Sequence, residues 1–434
     1  MELNDLILVS VDDHIVEPPG LFDNHLTTAQ LAKAPKLVKE SDEVEYWLFE
    51  GKKLPNIGLN AVVGRVPEEY GCEPTTYDHM RKGCYDVHSR VEDMNINGIL
   101  GSICFGSFVG FEGSLFLGSE DKQNAYTLIQ AYNDWHIDEW CGAYPGRFIP
   151  LAILPCWDPK LMAEEVARVR KKGCHTVSFS DNPAKKGLPS LHSDHWEPFW
   201  KACVDNDVTI SCHIGSGNEP QHPSMESPIE VWTMCFPMAI ALSAADWLHL
   251  PALHRYPDLT IALSEGGIGW IPYFLERANY VNEQHKAWTR SHFHGKTPEE
   301  IFRQHFRTCF IDDKFGLANR DQVGIETIMF EVDYPHSDCQ WPRSPEKLHD
   351  SLGGVSDEDI NMITHLNAMK AYHYDPFSIL GRENCTVAAL RAQATHVDVT
   401  PLAFGNIHAL GDMSRPVTSG DVVKLFMPEG VEIA

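Results

Sequence analysis

ILVSVDDHIVEP, residues 7–18, decides the architecture. It opens as a nearly continuous apolar, β-branched run, the pattern of a strand buried on both faces. It then releases Asp12 and His14. Three later stretches repeat the plan: VTISCHIGSG (208–217) ends in His213, LTIALSEGG (259–267) in Glu265, and TIMFEVDYPHSD (327–338) in Asp333, with His336 just beyond. Four buried-strand patterns thus deliver carboxylate or imidazole at the same relative place. In a barrel of parallel strands those ends meet on one face, where such folds build their sites. The pattern is that of a metalloenzyme.

Working outward, strand-like runs alternate with helical ones, which argues for βα units and a parallel sheet. The expected strands are 6–12, 98–105, 148–154, 175–180, 208–213, 259–264, 308–312 and 327–333. Eight is the number that closes a (β/α)8 TIM-like barrel. Helical spacing marks 164–172, which stops at Gly173, as well as 197–205 and 357–370. The first connection, about residues 18–90, is long and aromatic and is expected to be an inserted cap with a small hairpin. A second insert spans roughly 217–238. The barrel is expected to occupy 1–377, with 378–434 as a C-terminal extension packed on it, carrying a late strand-like run, VVKLFM.

The 434 residues, 43% hydrophobic, suffice for one large core. A net charge of −26 argues against a nucleic-acid partner. The twelve cysteines contain no C-x-x-C pair and several sit in apolar runs (Cys104, Cys212, Cys309), so free buried thiols are expected, not a disulfide framework. No basic leader and no uncharged apolar run of about 18 residues is evident. The expectation is a cytoplasmic homo-oligomer with a small-molecule substrate and no membrane partner.

Asp12-x-His14 has period-two spacing, so both side chains leave one strand in the same direction and can reach one ion. Each residue has a plainer alternative. Asp12 can cap a turn, His213 can be a core histidine, and Asp333 can form the turn before Pro335. Their recurrence on separate strand ends favours the metal. Glu331 alternates with Asp333 and should face the same way, either behind the site or on a second ion. Glu17 is expected to steady the loop after strand one. Trp270 and Phe274, with Tyr273, are expected in the core and pocket lining. Arg277 pairs at the surface or meets a substrate carboxylate. His192 and His195 belong to a helix entry.

The pieces VDDHIVEP, YPGRFIPLAILP, CHIGSG, RYPDLTIALSEGGIGWIPYFLER, FEVDYPHSDCQWP and NAMKAYHYDP together resemble the second amidohydrolase family, relatives of aminocarboxymuconate semialdehyde decarboxylase. The resemblance covers about residues 7–376. It implies a TIM-like barrel and a divalent ion held by Asp12, His14, His213 and Asp333. It also implies hydrolysis or decarboxylation of a small organic acid, ester or amide. Two positions depart from the family pattern. Strand one carries Asp-x-His in place of His-x-His or Glu-x-His, and Glu265 stands where the decarboxylases place an acid–base His. Strand four (CHTVSFSDNP) offers no Lys for a carbamate bridge.

Asp12, Glu265 and Asp333 bring three negative charges, so one divalent ion leaves an excess of about one in a poorly solvated pocket. Either Glu265 is protonated and works as an acid, or a second ion is present, with His336 and His175 as spare imidazoles. A carboxylate- and His-rich shell suits Zn, Mn or Fe. Glu265 thus stands as a further metal ligand, and Asp333, Glu265 and His336 as the groups that move a proton. A second class stays open: a dinuclear non-haem iron monooxygenase acting on a bulky apolar acyl or terpenoid substrate, as in the related platensimycin-pathway enzyme.

Overall fold

The computed structural model describes residues 1–54, 57–218, 220–404 and 414–426. All eight expected strands are present, with shifted ends. β1 is Val9–Ile15, β5 Gly101–Gly106, β8 Thr176–Ser178, β9 Thr209–His213, β10 Ile261–Ser264, β11 Phe306–Phe310 and β12 Ile328–Phe330. The third expected strand is broken at Pro150 into β6 (Phe148–Ile149) and β7 (Leu151–Ala152), since proline cannot donate to the ladder.

Pairing is parallel throughout, in the orders β1-β5-β6 and β7-β8-β9-β10-β11-β12. The chain beyond β12 returns to β1: Asp333 N donates to Asp12 O (2.8 Å) and His14 N to Tyr334 O (2.6 Å). Helices pack outside. Pro159–Arg170 starts on the Asp158 carboxylate, which accepts from Lys160 N and Leu161 N, and buries Met162, Val166 and Val169. Gly173 (φ 89°) ends that helical segment in the left-handed conformation foreseen for it. Phe179 meets Trp196, Phe199, Trp200 and Trp247, and so clamps the helices Glu197–Asp205 and Phe236–Leu248 to the end of β8.

The cap contains a three-stranded antiparallel sheet rather than one hairpin: β2 (Lys36–Lys39), β3 (Glu45–Phe49) and β4 (Lys52–Leu54). Trp47 of β3 is fully buried and stacks on Phe108 at 4.3 Å. The late VVKLFM run is not a strand. Ser419–Phe426 is a helix, and Met427 lies outside the described residues. Its apolar residues recur at helical as well as strand spacing, and among the described residues no strand pairs with it.

The second insert is also helical. Ile229–Leu248 is apolar and long enough, by length and composition, to cross a membrane. Its Ala239, Ile240, Ala244, Trp247 and Leu248 are buried in the protein. The C-terminal segment lies against earlier parts of the chain: Val387 N donates to Leu6 O (2.8 Å), Leu402 N to Gly64 O (2.9 Å), and Ile229 N to Val417 O (3.0 Å).

Candidate metal centre

Six of the expected side chains converge at the C-terminal ends of β1, β9, β10 and β12. His14 Nε2 lies 3.6 Å from Asp12 Oδ1, 3.3 Å from Asp333 Oδ1 and 3.2 Å from His213 Nε2. His213 Nε2 lies 3.5 Å from Asp12 Oδ1 and 3.1 Å from Glu265 Oε2. His336 Nδ1 is 2.8 Å from Asp333 Oδ1, and its ring lies 3.9 Å from that of His14. Asp12, His14, His213, Asp333 and His336 are all buried.

Local backbone geometry turns these groups inward. β1 shifts register between Ser10 and Asp13. Asp13 itself is tied down by Ser10 Oγ (3.0 Å), Tyr334 N (3.0 Å) and Ser102 Oγ. Glu265 (φ 60°) and Asp333 (φ 59°) both sit in the left-handed region, which disfavours side chains and persists only where the surroundings enforce it. For Glu265 the enforcing contact is its own N–H, which donates to Glu331 Oε2 at 3.1 Å. Asp333 is therefore both a turn former and a site residue.

The donor set fits a divalent cation. Neither buried carboxylate oxygen of Asp12 accepts a hydrogen bond, and the buried Asp333 carboxylate meets the His336 imidazole, Nδ1 to Oδ1 at 2.8 Å. Among the described residues no Lys or Arg pairs with Asp12, Glu265 or Asp333. Buried anions without donors are costly, and a cation among them removes the cost. Ligands about 2.1 Å from one ion sit roughly 3.0–3.4 Å apart. Asp12, His14 and His213 offer atoms all within 4.8 Å of one another, as do His14, Asp333 and His336, and the contacts from Asp333 through His14 and His213 to Glu265 measure 3.1–3.3 Å. His213 Nδ1 lies 2.6 Å from Ile214 O, so it carries the proton and leaves Nε2 free to ligate.

Electrostatics follow from burial and crowding. Burial, then Glu331, Glu265 and Asp333, push the Asp12 carboxyl well above its usual range. Burial, then His336 and His213, pull His14 well below. For His336 burial opposes the charged form, but the adjoining Asp333 outweighs it and lifts the imidazolium to about 9. Glu331 is raised to about 8, mainly by burial. A bound divalent ion would draw these values down.

Other expectations resolve as follows. His175 is not at the site. It precedes β8 at the opposite strand end, stacks on His373 at 4.4 Å and contacts Asp207 O at 3.1 Å. The end of β8 offers no Lys. It carries Asp181, which accepts from Ser216 Oγ (3.0 Å) and Asn218 N (3.1 Å) and so fixes the loop after β9. Glu17, in the loop after β1, does more than steady its own loop: it accepts from Ser107 N (3.0 Å) and Phe108 N (3.1 Å) and so ties that loop to the one after β5.

Arg277 is exposed, 5.0 Å from the Tyr280 ring. Tyr273 is also exposed, not core, while Trp270 Nε1 donates to Gly266 O (2.9 Å) beneath the site. His192 meets Asp246 at 2.8 Å at the surface. All twelve cysteines are free. Two groups escaped the sequence: Phe111, whose ring lies 4.0 Å from that of His213, and Cys309, whose Sγ contacts Glu331 Oε2 at 2.6 Å. Phe111 is on a loop with no periodicity, and Cys309 looks like an ordinary core thiol in its strand.

Comparison with known proteins shows the family and the fold. A family model described as "Amidohydrolase" matches residues 107–374. Gamma-resorcylate decarboxylase from Polaromonas is 25% identical over 240 residues, half of this chain and 68% of its own length. A decarboxylase from Emericella nidulans is 24% identical over 244 residues, covering 52% and 69%.

Among solved structures, an amidohydrolase from Mycobacterium avium subsp. paratuberculosis superposes with a TM-score of 0.63 at 19% identity, covering 85% of this chain and 99% of that one. Dihydroxybenzoic acid decarboxylase from Polaromonas, with bound manganese and an inhibitor, gives 0.57 at 17% identity, covering 85% and 97%. These likenesses show the fold: parallel, α/β, of the kind that forms TIM-like barrels. With more than half its length matched, the chain belongs to the amidohydrolase family, a metal-dependent hydrolase or carboxy-lyase.

Proposed function

We propose that the protein is a metal-dependent decarboxylase of a small aromatic acid, working on a (β/α)8 barrel over residues 1–377 with a cap at about 18–90 and a packed extension at 378–434. The observation that carries this is the run of close contacts among five donor groups from four strand ends, with the Asp12 carboxylate buried and without a hydrogen-bond donor. Asp12, His14, His213, Asp333 and Glu265 would hold the divalent ion, of which Zn, Mn and Fe suit the donors. When bound, it polarises a substrate oxygen and accepts charge as carbon dioxide leaves.

Phe105 and Phe111 flank His213 (rings 5.0 and 4.0 Å away) and suit a planar substrate. Carboxylates that ligate an ion are poor proton carriers, so Asp333 and Glu265 chiefly bind. His336 is held through Nδ1 by Asp333, and its buried Nε2 has no other partner. It is placed to deliver the proton to the carbon that loses carbon dioxide. The decarboxylase relatives favour this reaction over hydrolysis, and none of the relatives supports the dinuclear iron oxygenase.

The same reading has a soluble, cytoplasmic homo-oligomer. Self-association is supported by exposed Met234, Met238, Leu242, Tyr280 and Trp288 on the surface of three helices. The test is carbon dioxide release from hydroxybenzoates by reloaded and by chelated protein, beside a panel of esters and amides. Turnover that survives complete metal removal would overturn the proposal.

A further inference from the structure

Below the first ring of donors lies a second. Glu331 is two residues before Asp333, so it faces the same side one layer deeper, and its N–H continues the strand pairing to Phe310 O at 3.1 Å. Cys309 of β11 stands beside it. A carboxylate oxygen of Asp12, Sγ of Cys309 and a carboxylate oxygen of Glu331 all lie within 4.8 Å of one another, and all three residues are buried. Both Asp12 oxygens lack a hydrogen-bond donor, so one can serve the upper ring and the other the lower.

We infer that Asp12 bridges two cations: the first in the His14–His213–Asp333–Glu265 ring, the second held with Cys309 and Glu331. This rests on the metal-centre reading above but not on the reaction proposed there. Charge decides in its favour. Asp12, Glu331 and Asp333 are buried, and Glu265 adjoins them through its N–H on Glu331 Oε2 and its contact with His213. Among the described residues none of them pairs with Lys or Arg. With the Cys309 thiolate the fully ionised set carries five negative charges, so one divalent ion leaves three uncompensated and two ions leave one.

The thiol gives the lower position a different taste. Thiolate and carboxylate together select zinc, cobalt or iron over magnesium or manganese. Loading breaks the Cys309–Glu331 hydrogen bond. Sulfur and oxygen ligands on one tetrahedral ion sit roughly 3.5 Å apart, so the pair at 2.6 Å opens by about 1 Å. The S–H proton leaves to solvent, together with any proton that Asp12 or Glu331 carries before the ion enters.

The alternative is that Glu331 only positions Glu265 by accepting its N–H. Glu331→Gln separates the two roles, because the amide oxygen still accepts that bond but carries no charge. Apo protein is prepared by chelation, reloaded with zinc or cobalt, and ions per folded chain are counted by mass spectrometry, with circular dichroism reporting the fold. The expected count is two in the wild type and one in both Cys309→Ala and Glu331→Gln. A sulfur-to-cobalt charge-transfer band should be present in the wild type and lost in Cys309→Ala. A wild-type count of one, or a band that survives loss of Cys309, overturns the second site and leaves the first standing. A wild-type count of zero overturns both.

Discussion

His14 Nε2 and His213 Nε2 face each other at 3.2 Å across 199 residues of chain. Two neutral imidazoles at that distance can share one proton, or both can point lone pairs at a third party. The proton that Ile214 O holds on His213 Nδ1 and the bare carboxylate of Asp12 beside them favour the third party.

Replacing His213 with Ala removes the donor that touches both Asp12 and Glu265. Ions bound at the upper ring should fall below one per chain, and turnover should drop by at least about 100-fold, more than a mere orienting partner costs. Elemental analysis beside circular dichroism checks it. Unchanged metal content in a folded variant would remove His213 from the ligand set.

Metal should stabilise the fold, because it binds the native carboxylate cluster and not the unfolded chain. At an ion concentration about 100 times its dissociation constant the gain is about 2.7 kcal/mol. Thermal melts of apo protein titrated with manganese or zinc should therefore move to higher temperature, and a chelator should reverse the shift. No dependence on ion concentration would contradict a buried site.

Glu17 supplies a pH test away from the ion. Burial raises its carboxyl from 4.5 in the unfolded chain to about 7 in the fold. Below about pH 4.5 both states carry the proton and the group is neutral to stability. Between there and about 7 the folded state holds a proton that the unfolded state has lost, so rising pH lowers stability by up to about 3 kcal/mol. Glu17→Gln should flatten that decline relative to wild type. Denaturant midpoints at pH 5 and pH 8 measure it, and parallel slopes for the two proteins would reject the assignment.

Phe179 is fully buried among four aromatic rings. Phe179→Ala should cost about 3–5 kcal/mol of stability through the cavity it leaves. Ions per chain should not change, since the ring touches no ligand. Chemical denaturation together with metal counting separates the two effects.

Much of this was legible before any coordinates. Eight strands read correctly because a buried parallel strand is a local signal: an uninterrupted apolar run of five or six residues cannot be a solvated helix. Asp12, His14, His213, Glu265 and Asp333 were legible for the same reason, each standing where such a run stops. VVKLFM misled because six apolar-rich residues satisfy both periods, and only a neighbouring strand edge would have made them a strand. His175 misled because it precedes its strand, and the two ends of a parallel strand open on opposite faces of the sheet.

What the chain alone determined is which residues end strands. What the tertiary structure decided is which of those ends share a volume. The pairing of β9 with β10 and the return of the chain after β12 onto β1 place His213, Glu265, Asp333 and His14 within 3.1–3.3 Å contacts. The same pairing lowers Cys309 and Glu331 into one layer beneath them. Distances across a sheet depend on register, and register is set by contacts between segments far apart in sequence. No local pattern around Cys309 or Phe111 could announce that the fold sets one beside Glu331 and the other beside His213.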